Sequence, residues 1–208
     1  MGHRANSPGR IHELDEAGVT RVEIDVRADT TGRLIAAHDP ADEGVPLDEV
    51  LGAAAESGLA VTIDLKCPAA AIPALCDAVA SAGLAERTLF SGHYERPWDE
   101  IRSLLPSALR GWSPPEPGRW ERHFRCRALQ RELAAAAPAL LGALRLDALL
   151  AHHSLVSDPL VRALYADGKL LHAWTVNRAG RARRLARMGV DAIVTGRPRE
   201  IAAGLSSS

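Results

Sequence analysis

Long apolar runs are missing from this chain. No stretch approaches the ~18 apolar residues that a membrane span requires, and the first ten residues, MGHRANSPGR, lack the apolar centre of a secretory signal. These absences predict a cytoplasmic protein with no stable membrane insertion. Cysteine is scarce as well: Cys67, Cys76 and Cys126 are too few and too scattered for a disulfide framework or a zinc cluster. Nor does one sign of charge dominate, since Lys+Arg 25 against Asp+Glu 26 leaves a net charge of −1. That excludes a global positive field able to hold a nucleic-acid backbone or an anionic membrane surface, so any anionic partner must be met locally.

What is present is the composition of a globular α/β domain. Apolar residues make up 47% and charged residues 25% of the 208, a length that suits one large core. A single domain is expected over 1–205, with 206–208 a frayed tail. Short β-rich runs alternate with alanine- and leucine-rich helical stretches. The expected strands are Gly2–Arg4, Val22–Val26, Leu34–His38, Ala60–Lys66, Thr88–Ser91, Leu109–Trp112, Leu149–Ala151, Leu170–Thr175 and Ala192–Thr195. The expected helices are Ile11–Gly18, Leu47–Ser57, Ala70–Ala82, Trp98–Leu105, Leu129–Leu146, Pro159–Ala166, Arg178–Met188 and Pro198–Leu205. Thr30-Thr31-Gly32 reads as a hairpin turn. The alternation would close as a compact TIM (β/α)8 barrel with short loops, near the lower limit of length for that fold. Ser113–Arg127 is the exception, a longer cover rich in proline, tryptophan and arginine. Only Met1 and Gly2 precede His3, so the first strand is vestigial or the chain starts upstream.

Several residues carry potential chemistry. Alternation along Val22-Glu23-Ile24-Asp25-Val26 puts the two acids on one face. They could form an oxygen seat for a hard divalent cation or the solvated face of an amphipathic strand. Ile63-Asp64-Leu65-Lys66 repeats the pattern with mixed sign. Asp64 could be a third oxygen ligand and Lys66 a point charge for phosphate, the alternative being an exposed ion pair. Charged residues inside strands of this type favour function, because parallel strands are usually buried on both faces. His3 and His38 end apolar runs, where an imidazole can move protons near neutral pH. Trp174 could floor a pocket or pack in the core, and Asn177 could cap the helix that follows. His152, His153 and Cys67 carry no firm reading, and the arginines of 178–187 read as a solvated face.

Taken in order, His3-Arg4, Glu23-x-Asp25, His38-Asp39, Asp64-x-Lys66, Trp174-Thr-Val-Asn177 and Gly189-Val-Asp-Ala-Ile-Val-Thr195 resemble the glycerophosphodiester phosphodiesterase family of phospholipase C-like barrels. The resemblance implies a TIM barrel that cleaves glycerophosphodiesters to glycerol 3-phosphate and an alcohol. It implies Glu23, Asp25 and Asp64 as ligands of one divalent cation, Mg²⁺ or Ca²⁺, and His3 and His38 as the acid/base pair. Arg4 and Lys66 would hold the phosphate and Trp174 would line the substrate pocket. The family's attacking group is the substrate's own neighbouring hydroxyl, giving a cyclic phosphate that water then opens.

The pattern also departs from the family. Ala5 stands where glycine is usual, Asp64 where glutamate is common, and Gly196 where an aspartate often follows the threonine. The loop after Asn6 and the insertion after His38-Asp39 are short. These features are similar to the sphingomyelinase D/phospholipase D branch, which releases a cyclic phosphate from lipids. The partner expected is therefore a small glycerophosphodiester or a lysophospholipid. A non-catalytic barrel that binds a phosphate ligand is the reading from outside the enzymes.

Overall fold

The computed structural model describes residues 1–206, which divide into two compact units, Met1–Arg110 and Gly111–Ser208. In the first, the order is α1 (Pro8–Glu16), β1 (Arg21–Ala28), β2 (Leu34–Ala36), β3 (Val45–Pro46), α2 (Leu47–Glu56), β4 (Ala60–Leu65), α3 (Ile72–Ser81), β5 (Thr88–Gly92) and α4 (Trp98–Leu104). β6 (Leu109–Trp112) begins here and ends in the second unit. There it is followed by α5 (Arg119–Phe124), α6 (Cys126–Ala143), β7 (Ala148–His152), α7 (Asp158–Ala166), β8 (Leu170–Trp174), α8 (Ala179–Met188), β9 (Ala192–Ile193) and α9 (Pro198–Ser206).

In the first unit the strand order is β3-β2-β1-β4-β5, with β1, β4 and β5 parallel. Val22, Ile24 and Val26 of β1 and Val61, Ile63 and Leu65 of β4 are buried, as are Ile11 and Leu14 of α1 and Leu75 and Val79 of α3. A strand covered by helices in this way has no solvated face, so each charged residue on it is an investment that packing alone does not explain. α1 starts where Ser7 caps it, its hydroxyl accepting from the Arg10 N–H, and Pro8 fits the first turn. The expected hairpin is present. Asp29 accepts at Oδ1 from the N–H groups of Thr31 and Arg33 and from the Thr31 hydroxyl, and β1 and β2 pair antiparallel across it.

In the second unit β6, β7, β8 and β9 are parallel neighbours. Leu149, Ala151, Leu171 and Ala173 are buried under Leu133, Ala137 and Leu141 of α6, Leu160 and Leu164 of α7, and Leu185 of α8.

Three expectations need correction. The run Gly2–Arg4 is not a strand but a single parallel bridge, in which the Gly2 N–H donates to Arg21 O at 2.9 Å and Gly2 O accepts from the Glu23 N–H at 2.8 Å. A side chain at Gly2 would strike Leu14, whose methyls lie 2.6 Å from where a Cβ would stand. The cover over Ser113–Arg127 is irregular only to Gly118, since Arg119–Phe124 is helical and α6 begins at Cys126. Asn177 does not cap α8; its Oδ1 accepts instead from the Thr195 hydroxyl and the Gly196 N–H, both at 3.0 Å. The frayed tail falls mostly outside the described residues: Ser206 ends α9, and 207 and 208 lie beyond them.

Candidate active site

Seven of the eight side chains expected to act lie in the first unit. β1 and β4 run parallel with Asp25 opposite Asp64, while Glu23 sits two residues earlier on the face it shares with Asp25. One carboxylate oxygen from each of Glu23, Asp25 and Asp64 lies within 4.8 Å of the other two. Glu23 is 8% and Asp25 2% exposed, which excludes the solvated-face reading of this strand.

Each acid is held individually. Glu23 Oε2 accepts the Arg4 N–H at 2.7 Å and lies 3.8 Å from His3 Nε2. Asp25 Oδ1 pairs with Lys66 Nζ at 2.6 Å, and its Oδ2 accepts from Asn6 Nδ2 at 2.8 Å. Lys66 Nζ also lies 3.7 Å from Asp64 Oδ2. One ammonium therefore serves two carboxylates, and a third has only a backbone N–H and a nearby imidazole. Burial, and then the Asp25 charge, hold the Glu23 carboxyl well above the usual carboxylate range. Burial raises Asp64 as well, against the pull of Lys66. The cluster thus carries more negative charge than its own cations balance, on hard oxygen donors that converge. This donor set fits a divalent cation of the Mg²⁺ or Ca²⁺ type.

The histidines flank this cluster. His38 is bracketed by two groups of fixed character: Asp39 Oδ1 lies 3.0 Å from Nδ1 and the Arg4 guanidinium 2.7 Å from Nε2. A guanidinium only donates and a carboxylate only accepts, so the neutral ring carries its proton on Nδ1 and presents a lone pair at Nε2. His38 O accepts from Arg27 Nε at 3.0 Å, which anchors the residue from behind. His3 is pushed down to about 4, first by burial and then by the Arg4 charge, so it is an unprotonated base at neutral pH. Between these groups Arg4 itself takes a left-handed backbone, φ 55, a region that costs a side-chain-bearing residue about 1–2 kcal/mol. The reward is visible: in that conformation its N–H meets Glu23 while its guanidinium meets His38.

Asn6, Arg27 and Arg96 were not singled out by the sequence, and Asp39 appeared there only beside His38 in the motif, with no role of its own. Arg96 donates to Leu65 O and to Cys67 O, bracing the end of β4 beside Asp64. A signal for Asn6 existed in the register. Once Gly2 pairs with Val22, a parallel continuation runs residues 4–6 alongside Glu23–Asp25, and Asn6 meets Asp25 twice, its Oδ1 also accepting the Asp25 N–H at 2.9 Å.

Trp174 lies in the second unit, at the end of β8. Its indole N–H donates to Leu150 O at 2.9 Å, and its ring stands edge-on to His152 at 5.5 Å. Its polar handle is therefore spent, leaving ring surface for contact. His152 accepts from the Ser154 N–H at Nδ1 and lies 3.6 Å from Glu116, while burial lowers both His152 and His153, the latter to about 4. Cys67 is buried and its thiol raised by that burial, so it is no nucleophile at neutral pH.

Residues 124–200 match the model of the glycerophosphoryl diester phosphodiesterase family. Over that stretch the chain is similar to the glycerophosphodiester phosphodiesterases. The matched stretch contains Trp174 and none of Glu23, Asp25, Asp64, His3 and His38, so the two lines of observation are independent. Solved structures agree over nearly the whole length. A phosphodiesterase of Oleispira antarctica, in complex with the product sn-glycerol-3-phosphate, is 19% identical with a TM-score of 0.74, covering 99% of this chain and 95% of that one. A glycerophosphodiester phosphodiesterase of Parabacteroides distasonis is 17% identical with a TM-score of 0.76, covering 99% and 96%. One from Agrobacterium tumefaciens is 18% identical with a TM-score of 0.74, covering 97% of each. No curated protein matches the chain. The likeness to these structures shows the fold, the TIM (β/α)8 architecture that the alternation of strands and helices predicts.

Proposed function

We propose that this protein is a phosphodiester hydrolase that cleaves glycerophosphodiesters to glycerol 3-phosphate and an alcohol with the help of one divalent cation. The observation that supports this most is the convergence of Glu23, Asp25 and Asp64 oxygens within 4.8 Å, with His3 beside Glu23 and His38 held by Asp39 and Arg4. A cation of the Mg²⁺ or Ca²⁺ class, held by the three acids, would polarise a phosphoryl oxygen as a Lewis acid.

The chain's own groups account for the proton traffic. His3, unprotonated at neutral pH, takes the proton from the attacking hydroxyl as the new P–O bond forms. The P–O bond to the alcohol breaks as His38, carrying a proton on Nε2 once Arg4 has moved to the phosphate, gives that proton to the departing oxygen. Water then opens the cyclic phosphate, losing a proton to His38 while His3 gives its own to the ring oxygen that leaves. Asp39 at Nδ1 orients the His38 ring. Arg4 now occupies the His38 Nε2 position that the leaving oxygen needs. Substrate binding therefore exchanges the Arg4–His38 contact for one between Arg4 and a phosphate oxygen, a change for which a guanidinium is suited. Lys66 stays among the acids and adds a second positive charge toward the phosphate.

The test is turnover of glycerophosphocholine with Mg²⁺ or Ca²⁺, followed as glycerol 3-phosphate. Activity should vanish on chelation and fall by about 10²-fold or more in His3→Ala and His38→Ala. A second reading, cyclic phosphate release from lysophosphatidylcholine, is favoured by the start of α1 at Pro8, which leaves a very short loop after Arg4, and by the closeness of Lys66 to Asp64. A cyclic lysophosphatidate with no glycerol 3-phosphate from any glycerophosphodiester would replace the first reading. Binding of phosphate ligands with no turnover of either would leave the non-catalytic one.

A further inference from the structure

The chain has few aromatic residues, 4% in all, yet two of them are displayed together on the short helix α5. Trp120 is 63% and Phe124 67% exposed, and their rings lie 5.4 Å apart, as residues four apart on one helical face should. His123 stands edge-on to Phe124 at 4.5 Å and extends the same patch. Apolar rings left in water side by side carry a cost that folding does nothing to recover, and such a patch marks an interaction surface.

The charges around it choose the partner. Between Arg119 and Arg131 the sequence carries Arg119, Arg122, Arg125, Arg127 and Arg131 against the single acid Glu121. Glu121 does not neutralise the patch, because its carboxylate is turned back to accept the Gly118 N–H at 2.7 Å. Arg122 is likewise turned inward, to Glu116 and to Pro117 O. Arg119, Arg127 and Arg131 are exposed, as is Arg125, whose guanidinium lies 3.6 Å from Glu132 just past the segment. In a chain of net charge −1 this is a local positive concentration, the condition under which an anionic partner can be met. Tryptophan and phenylalanine beside arginine is the chemistry of the bilayer interface, where rings sink to the level of the headgroups and guanidiniums pair with lipid phosphates.

We propose that the segment Arg119–Arg131, with Trp120 and Phe124 as its anchors, docks the protein on the surface of an anionic lipid bilayer. This rests on α5 and its flanking arginines alone and is independent of the catalytic reading. Attachment is peripheral and reversible. Two rings and a few arginines cannot span a bilayer, and no described helix is long and apolar enough to cross one.

The experiment is flotation of the purified full chain with vesicles of mixed phosphatidylglycerol and phosphatidylcholine, against vesicles of phosphatidylcholine alone. The protein should float with the anionic vesicles, less so as salt rises. Its tryptophan emission should shift to the blue on binding, and that shift should be missing in Trp120→Phe. Trp120→Ala with Phe124→Ala should bind at least about tenfold more weakly, the loss expected from partial burial of one ring. Arg119→Ala with Arg127→Ala should weaken binding and flatten its salt dependence. Both double variants should melt as the parent does, since all four side chains lie on the surface. Failure of the parent to float would overturn the proposal, as would flotation unchanged by loss of the rings. Two other results would reassign the patch: a parent dimer that the ring variant makes monomeric points to a second copy, and tight binding to a single-stranded oligonucleotide points to nucleic acid.

Discussion

Asp25 is the most constrained residue of the candidate site. It is nearly inaccessible, one oxygen is against Lys66, and the other is against the Asn6 amide, which also receives the Asp25 N–H. Removing Asn6 would leave a buried carboxylate oxygen and a buried N–H without partners, and hydrogen bonds to charged groups contribute about 1.5–3 kcal/mol each. Asn6→Ala should therefore destabilise the protein by about 1–3 kcal/mol in urea titration. It should also lower hydrolysis, because Asp25 then keeps only the Lys66 contact to fix its carboxylate. A melting point and turnover equal to the parent's would show that Asn6 does not position Asp25. Such a role was nearly invisible in the chain itself. Glu23, Asp25 and Asp64 stood out as charges in apolar strands, but Asn6 lies in a polar stretch where nothing distinguishes it until the bridge at Gly2 places it beside β1. Asp39 was visible only as the second residue of the His38-Asp39 motif, although its carboxylate orients His38.

At the scale of the element, α6 is the least expected success. It runs unbroken from Cys126 to Ala143 with Pro138 inside it. Proline there lacks the N–H that would bond four residues back, and its ring crowds the preceding turn. The surrounding alanines and leucines, with Leu133, Ala137 and Leu141 buried, outweigh that loss. Pro138→Ala should recover part of it and raise stability by up to about 3 kcal/mol, read as a higher urea midpoint. A lower midpoint would mean that the proline ring packs usefully against its neighbours. The same propensities made most helices and strands legible, to within a residue or two at their ends. α5 was missed because six residues hold a single apolar pair, Trp120 and Phe124, too short a run for a helical period to show in the sequence. What sets it there is Gly118, whose N–H the Glu121 side chain caps.

Over the whole molecule, the buried ionisable groups make opposite demands as pH falls. His3 and His153 have folded values near 4 against an ordinary 6.5, so below pH 6.5 the unfolded chain binds protons that the folded one refuses. Their contribution falls between about pH 6.5 and 4 and is constant above that window. Glu23 and Asp64, raised by burial, take up protons more readily folded than unfolded and so oppose the loss. Both acids belong to the first unit, whereas His152 and His153, both lowered, belong to the second. Acidification from pH 7 to 5 should therefore cost the second unit its hydrogen-exchange protection first, in β7 and β8 before β1 and β4. His153→Gln should reduce that difference. Protection lost first from β1 and β4 would reverse the assignment.

Local chemistry, read along the chain alone, was enough to determine the alternation of strands and helices and the hairpin at Asp29, and to mark the three acids and two histidines as candidates, because propensity, turn chemistry and charge placed within apolar strands are properties of neighbours in sequence. Tertiary structure alone decided that Asp25 faces Asp64, that Arg4 bends into a left-handed turn to join Glu23 to His38, and that burial raises the Glu23 and Asp64 carboxyls above their ordinary range. The physical reason is range. Register between β1 and β4, and the exclusion of water around a carboxylate, depend on segments that are distant in sequence and meet only when the core forms.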